Sequence, residues 1–175
     1  MIDLKPMSVA ELLGLYANIL EELRGRGVVR TANNPVADYA ETLFCQAFDW
    51  QRADKEAKGY DATDANGVRY EIKARRLTIH SKSRQVSAIR SRHTFAFLAG
   101  VLFKEDFTIF RAALIPVAVV KRRSERAEHV NSWRFLLHDD IWAEPGVQDV
   151  TRQLVSFVKR THGMDQKYLS RRGPK

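Results

Sequence analysis

The chain has 175 residues, 45% hydrophobic and 29% charged, enough for one domain with its own core and no need of disulfides or a structural metal. Twenty-nine Lys and Arg against 21 Asp and Glu give a formal charge of +8 and a pI near 9.8; this favours polyanionic partners, nucleic acid first, because each cation set on a phosphate releases condensed counterions. The lone Cys45 excludes an internal disulfide, no His/Cys spacing fits a structural zinc site, the start lacks a signal-peptide pattern, and no apolar run approaches the ~20 residues of a bilayer span, so a cytoplasmic protein without membrane association is expected.

The first predicted element is a helix over residues 8–25. Ser8 and Glu11 form a capping box, and Val9, Leu12, Leu13, Tyr16, Ile19, Leu20 and Leu23 recur at helical spacing, a stripe expected to pack into the core. Asn34 before Pro35 announces a second helix to about Phe48, with Val36, Tyr39, Ala40, Leu43, Phe44 and Ala47 on its apolar face and Glu41 on the flank. Cys45 reads as a buried small hydrophobe.

Residues 59–75 alternate like a β-hairpin. Tyr60, Ala62, Val68, Tyr70, Ile72 and Ala74 make an apolar set, and Asp61, Thr63, Arg69, Glu71, Lys73 and Arg75 a polar one. A two-residue Asn66-Gly67 turn would mix the two sets on each face. A three-residue loop, Ala65-Asn66-Gly67 with Gly67 left-handed, keeps them apart and sets Asp61 opposite Glu71. Two largely buried strands follow, 93–103 and 107–120, turning at Lys104-Glu105-Asp106, the second giving way near Pro116 to a short helix or irregular piece. A strand is expected at 132–137, Asp139-Asp140 capping a turn before Ile141, and a last helix from Asp149 to Gly163. The organisation expected is one domain over 1–163, with its core in 30–160 and a basic, flexible tail at 164–175.

Two carboxylates set across an antiparallel pair repel, so a positive group belongs beside them. Lys73 projects from the same face as Glu71, and a hard divalent cation is the other natural neutraliser, since Mg²⁺ takes one or two carboxylates and keeps waters and substrate phosphate in its remaining positions. Such a site suits phosphodiester hydrolysis, in which Lys73 positions or helps deprotonate the attacking water and offsets charge at phosphorus. From the second helix, Glu41 is placed to orient a metal-bound water or hold a second ion. The competing reading is an exposed hairpin whose acids make weak surface pairs with Arg69, Lys73 and Arg75.

An acid-bearing helix from Asn34-Pro35 through Glu41, then Gly59-Tyr60-Asp61, a short turn and Tyr70-Glu71-Ile72-Lys73 resembles the PD-(D/E)xK nuclease superfamily, with Tyr60 where the named motif has proline. The run RTANNPVADYAE is similar to an uncharacterised bacterial branch of that superfamily. The resemblance implies an α/β (α+β) fold of restriction-endonuclease-like type: an αβββαβ core whose mixed central sheet is flanked by helices, here with an extra N-terminal helix. It also implies a Mg²⁺-dependent endodeoxyribonuclease in which Mn²⁺ can substitute, with Asp61, Glu71 and the Ile72 carbonyl as metal ligands, Lys73 as the catalytic lysine and Glu41 as the additional helix acid. The alternative is a non-catalytic nucleic-acid-binding module of the same fold; a third reading is an adaptor for an acidic protein.

From Lys73 to Phe103 there is no acidic residue, and Arg75, Arg76, Lys82, Arg84, Arg90 and Arg92 accumulate there; with Arg69 they are the expected phosphate contacts. Lys121, Arg122, Arg123 and Arg126, and Lys167, Arg171, Arg172 and Lys175 in the tail, are candidates to widen that footprint. DNA is favoured over RNA as partner, with room for a homo-oligomer or a separate specificity subunit.

Overall fold

A computed structural model describes residues 2–31, 33–54 and 59–171. The chain runs α1 (Val9–Gly25), α2 (Val36–Phe48), β1 (Gln51–Arg52), β2 (Ala62–Thr63), β3 (Arg69–Arg76), β4 (Phe97–Phe103), β5 (Ile109–Pro116), α3 (Val117–Arg123), β6 (Glu125–Ala127), β7 (Ser132–Arg134), β8 (Gln148–Asp149) and α4 (Thr151–Arg171). Six strands form one mixed sheet in the order β1-β2-β3-β4-β5-β8, with β3 and β4 parallel and the other neighbours antiparallel. The β6-β7 hairpin stands apart.

Alternation along the two central strands separates two cores. Ala99, Val101 and Phe103 join Tyr70 and Ile72 of β3 under α2 and α4, whereas Leu98 and Leu102 join Val86, Ile89 and Phe135 on the opposite face. A mixed sheet flanked by helices is therefore present. The element order departs from a plain αβββαβ series, because the β3-to-β4 crossover, 77–96, is irregular instead of helical. Buried Val86 and Ile89 pin that crossover, and Ile89 pairs through its backbone with Trp133 of β7.

The helix starts follow the expected chemistry. The Ser8 amide donates to Glu11 Oε2 at 2.7 Å while Ser8 Oγ accepts from the Glu11 amide at 3.3 Å, closing the capping box. At α2, Asn34 Oδ1 accepts from the Val36 amide at 3.1 Å. The second long strand ends at Pro116 and passes into α3, as predicted. Asp149 Oδ1 accepts from the Thr151 amide at the start of α4.

Two expectations about the helices are overturned. The α1 stripe is not core: Val9 is 75%, Leu13 63%, Tyr16 48% and Ile19 48% exposed, and only Leu20 is buried. Helical periodicity marks a face that favours burial, but the sheet faces are already covered by α2, α4 and the crossover, so it does not say what covers α1. Nor does α4 stop at Gly163; it continues to Arg171. A glycine costs only about 1 kcal/mol in a helix, too little to end one whose neighbours favour it. The remainder of the expected tail, 172–175, lies outside the described residues.

Candidate functional site

The site starts from the hairpin register. Ala62 pairs with Tyr70 and Thr63 with Arg69, Asp64 and Val68 close a three-residue loop, and Gly67 sits at φ +77°, the left-handed conformation that glycine adopts without a Cβ clash. That register holds as far as Ala62, and beyond it Asp61 lies close enough to Glu71 for the two charges to interact.

At Asp61 the ladder breaks. Its amide donates to the Tyr70 carbonyl at 2.8 Å, its carbonyl accepts from the Ala53 amide at 2.9 Å, and its carboxylate, not the next stretch of backbone, takes the Ile72 amide, with Oδ2 at 2.7 Å. The N–H and C=O of one strand residue point to the same neighbour, so the Ile72 carbonyl faces this edge as well. The break also overturns the placement of Tyr60. It packs with the opposite core from Ala62, under the Arg69 guanidinium at 4.9 Å.

Glu71 and Lys73 share a face two residues apart, with Lys73 Nζ 2.6 Å from Glu71 Oε1 and side chains only 15% and 10% exposed. Burial first, and then the Glu71 charge, push the Asp61 carboxyl up to about 6; Lys73 and the Ile72 amide pull the other way, and Glu41 adds a further upward push. Among the described residues no donor engages Asp61 Oδ1. The cluster thus holds a carboxylate oxygen with no protein donor among the described residues beside a second, nearly buried carboxylate, with the Lys73 ammonium nearby. Hard oxygen donors with spare negative charge suit Mg²⁺ or Mn²⁺.

Glu41 is placed differently. Its Oε2 accepts from Arg30 Nη2 at 3.1 Å and Arg52 Nε at 2.9 Å, and it lines with Asp61, Asp38 and Tyr60 a pocket of about 260 Å³. It shares a pocket with Asp61 but is committed to two arginines. Among the described residues no three His, Cys, Asp or Glu side chains converge closely enough to hold an ion.

Compared with protein-family models and with curated proteins, the chain matches none.

The expected phosphate contacts divide. Arg75 stays on the Glu71 face, where its Nη2 donates to Ser81 Oγ at 2.8 Å. Arg69, Lys82 and Arg90 are exposed and make no ion pair among the described residues. Arg76, one residue on from Arg75, falls on the opposite side of the sheet, over the Phe107 ring at 4.7 Å. Arg84 is paired with Asp139 at 2.8 Å, and Arg92 is half-buried and engaged, donating to the Lys121 carbonyl and lying 3.1 Å from the Trp133 ring centroid. The crossover is thus an anchored basic segment whose free cations are fewer than its sequence promised.

Sequence reasoning missed Asp38, Arg30 and Arg52. Asp38 is 6% exposed; burial raises its pKa, but hydrogen bonds from the Arg30 amide, the Thr31 amide and the Thr31 hydroxyl, with Arg52 nearby, outweigh that and hold it below the ordinary range. Asp38 and Glu41 lie three apart on α2 and so share a flank, which was readable; that Arg52 would fold back from β1 onto both was not.

Proposed function

We propose that this chain is a divalent-metal-dependent phosphodiesterase acting on nucleic acid, DNA before RNA, of the restriction-endonuclease-like type. The observation that carries the reading is the Asp61 carboxylate, held against the Ile72 amide beside the Glu71–Lys73 pair and pushed up to about 6 by burial and by Glu71. A group so placed gains most from a cation. Asp61, Glu71 and the Ile72 carbonyl are the residues that would hold Mg²⁺ or Mn²⁺, which when bound acidifies a water and offsets charge at the reacting phosphorus.

The remaining roles belong to side chains. Lys73 neutralises Glu71 in the resting protein and is close enough to the acids to donate a hydrogen bond to the attacking water or a phosphate oxygen. Arg75, with exposed Arg69, Lys82 and Arg90, supplies positive charge for the backbone on either side. Glu41 orders Arg30 and Arg52 at the neighbouring pocket. One observation favours a non-catalytic nucleic-acid-binding module instead: Glu71 and Glu41 already have cationic partners in the protein.

Cleavage separates the two readings. Plasmid and duplex, single-stranded and branched oligonucleotides incubated with Mg²⁺ or Mn²⁺ should be cut by the wild type and not by Asp61→Asn or Lys73→Ala, while both variants keep most of their DNA affinity. Equal cleavage by all three proteins would overturn the assignment.

A further inference from the structure

The stripe of α1 is an apolar feature, exposed over most of its length, that the proposed site does not use. Val9, Leu12, Tyr16, Ile19 and Leu23 are spaced alternately three and four residues apart, the seam by which one helix packs along another. The seam is also close to a palindrome about Tyr16: Val9 and Leu23 lie seven residues to either side, with Leu12 and Ile19 between. A seam that reads nearly the same in both directions is what a twofold antiparallel self-pairing needs.

Beside the body-facing side of α1 runs a groove of about 1160 Å³, walled by Tyr16, Ile19 and Leu23 on one side and by Tyr39, Phe107 and Val155 on the other. A helix about 10 Å across fills roughly 80 Å³ per Å of its length, so this space takes about three turns. Charge narrows the choice of occupant. Residues 2–27 carry four acids, Asp3, Glu11, Glu21 and Glu22, against Lys5, Arg24 and Arg26, on a chain whose total is +8. Outside that segment the groove has the opposite balance, with Arg76, Lys104 and Lys159 against Asp106. A slightly acidic apolar helix fits it, and such a helix lies in every copy of this chain.

We propose that two copies associate through α1, the helices lying antiparallel about a twofold axis near Tyr16, each entering the other's groove. The interface is isologous, covers the stripe left open in the single chain, and brings near-neutral segments together while the basic bodies stay apart.

The full-length protein should show twice its 20.1 kDa mass by light scattering or sedimentation at micromolar concentration. Leu12→Asp with Ile19→Asp alters exposed positions and should yield a folded monomer, the dissociation constant rising about a hundredfold or more. Tyr16→Cys should form an intermolecular disulfide on mild oxidation, whereas Asn18→Cys, off the seam, should not; Cys45 is buried and stays silent. The Tyr16→Cys result stands even if the double variant fails to fold. A monomeric wild type, a dimer that survives the double substitution, or equal cross-linking at positions 16 and 18 would overturn the proposal.

Discussion

Replacing Asp61 with Asn should stabilise the metal-free protein at pH 8 and leave it nearly unchanged at pH 4. The Asp61 carboxyl lies at about 6 in the folded chain against an ordinary 3.8, raised by burial and by Glu71. The folded state therefore holds this proton more tightly than the unfolded state. Its contribution to stability is fully present below pH 3.8 and is lost as pH rises through about 6, because the unfolding free energy falls wherever the native state binds more protons. At 1.36 kcal/mol per pH unit, the loss at pH 8 is about 3 kcal/mol. Asn is neutral throughout and its side-chain oxygen can still accept from the Ile72 amide, so it removes the penalty and keeps the bond. Urea unfolding of both proteins in chelator at pH 4 and pH 8 reads the difference. Mg²⁺ at about a hundred times its Kd should then add roughly 2.7 kcal/mol to the wild type and nothing to the variant, closing the gap. An Asp61→Asn protein less stable than wild type by the same amount at both pH values would refute the reasoning.

Removing the ammonium by Lys73→Ala leaves Glu71 nearly buried without its cation, and should cost about 1–3 kcal/mol of stability at pH 8; thermal melts of the two proteins test this. Glu41→Gln frees Arg30 and Arg52, and should destabilise by about 1–2 kcal/mol in urea while leaving Mn²⁺ affinity within about threefold, since Glu41 is already engaged by those two arginines. Burial pushes the Cys45 thiol up to about 11, so labelling by a thiol reagent at pH 8 should be slow in the native protein and fast in denaturant.

The parts of this structure legible in the sequence are those set by local chemistry. The Ser8 box, the Asn34-Pro35 start and the hairpin register each follow from steric or hydrogen-bonding rules acting within a dozen residues. Separation of the two faces forced a three-residue loop, and with it the pairing of Ala62 with Tyr70 that brings Asp61 beside Glu71. What stayed hidden depends on contacts distant in sequence. Tyr60 changes sides because the Asp61 carboxylate, instead of backbone, satisfies Ile72, and alternation cannot anticipate a side chain replacing a ladder bond. Arg84 and Arg92 looked like free cations until Asp139 and Trp133 arrived from 40 or more residues away. The α1 stripe was legible as apolar, but its cover was not.

The central claim is that Asp61 and Glu71, with the Ile72 carbonyl, hold a divalent ion beside Lys73. Titrating Mn²⁺ into wild type, Asp61→Asn, Glu71→Gln and Lys73→Ala, with free ion read by electron paramagnetic resonance, tests it without any nucleic acid. One tight site in the wild type, retained in Lys73→Ala and lost in both acid variants, is the predicted result. No binding to the wild type, or equal binding to all four proteins, would contradict it.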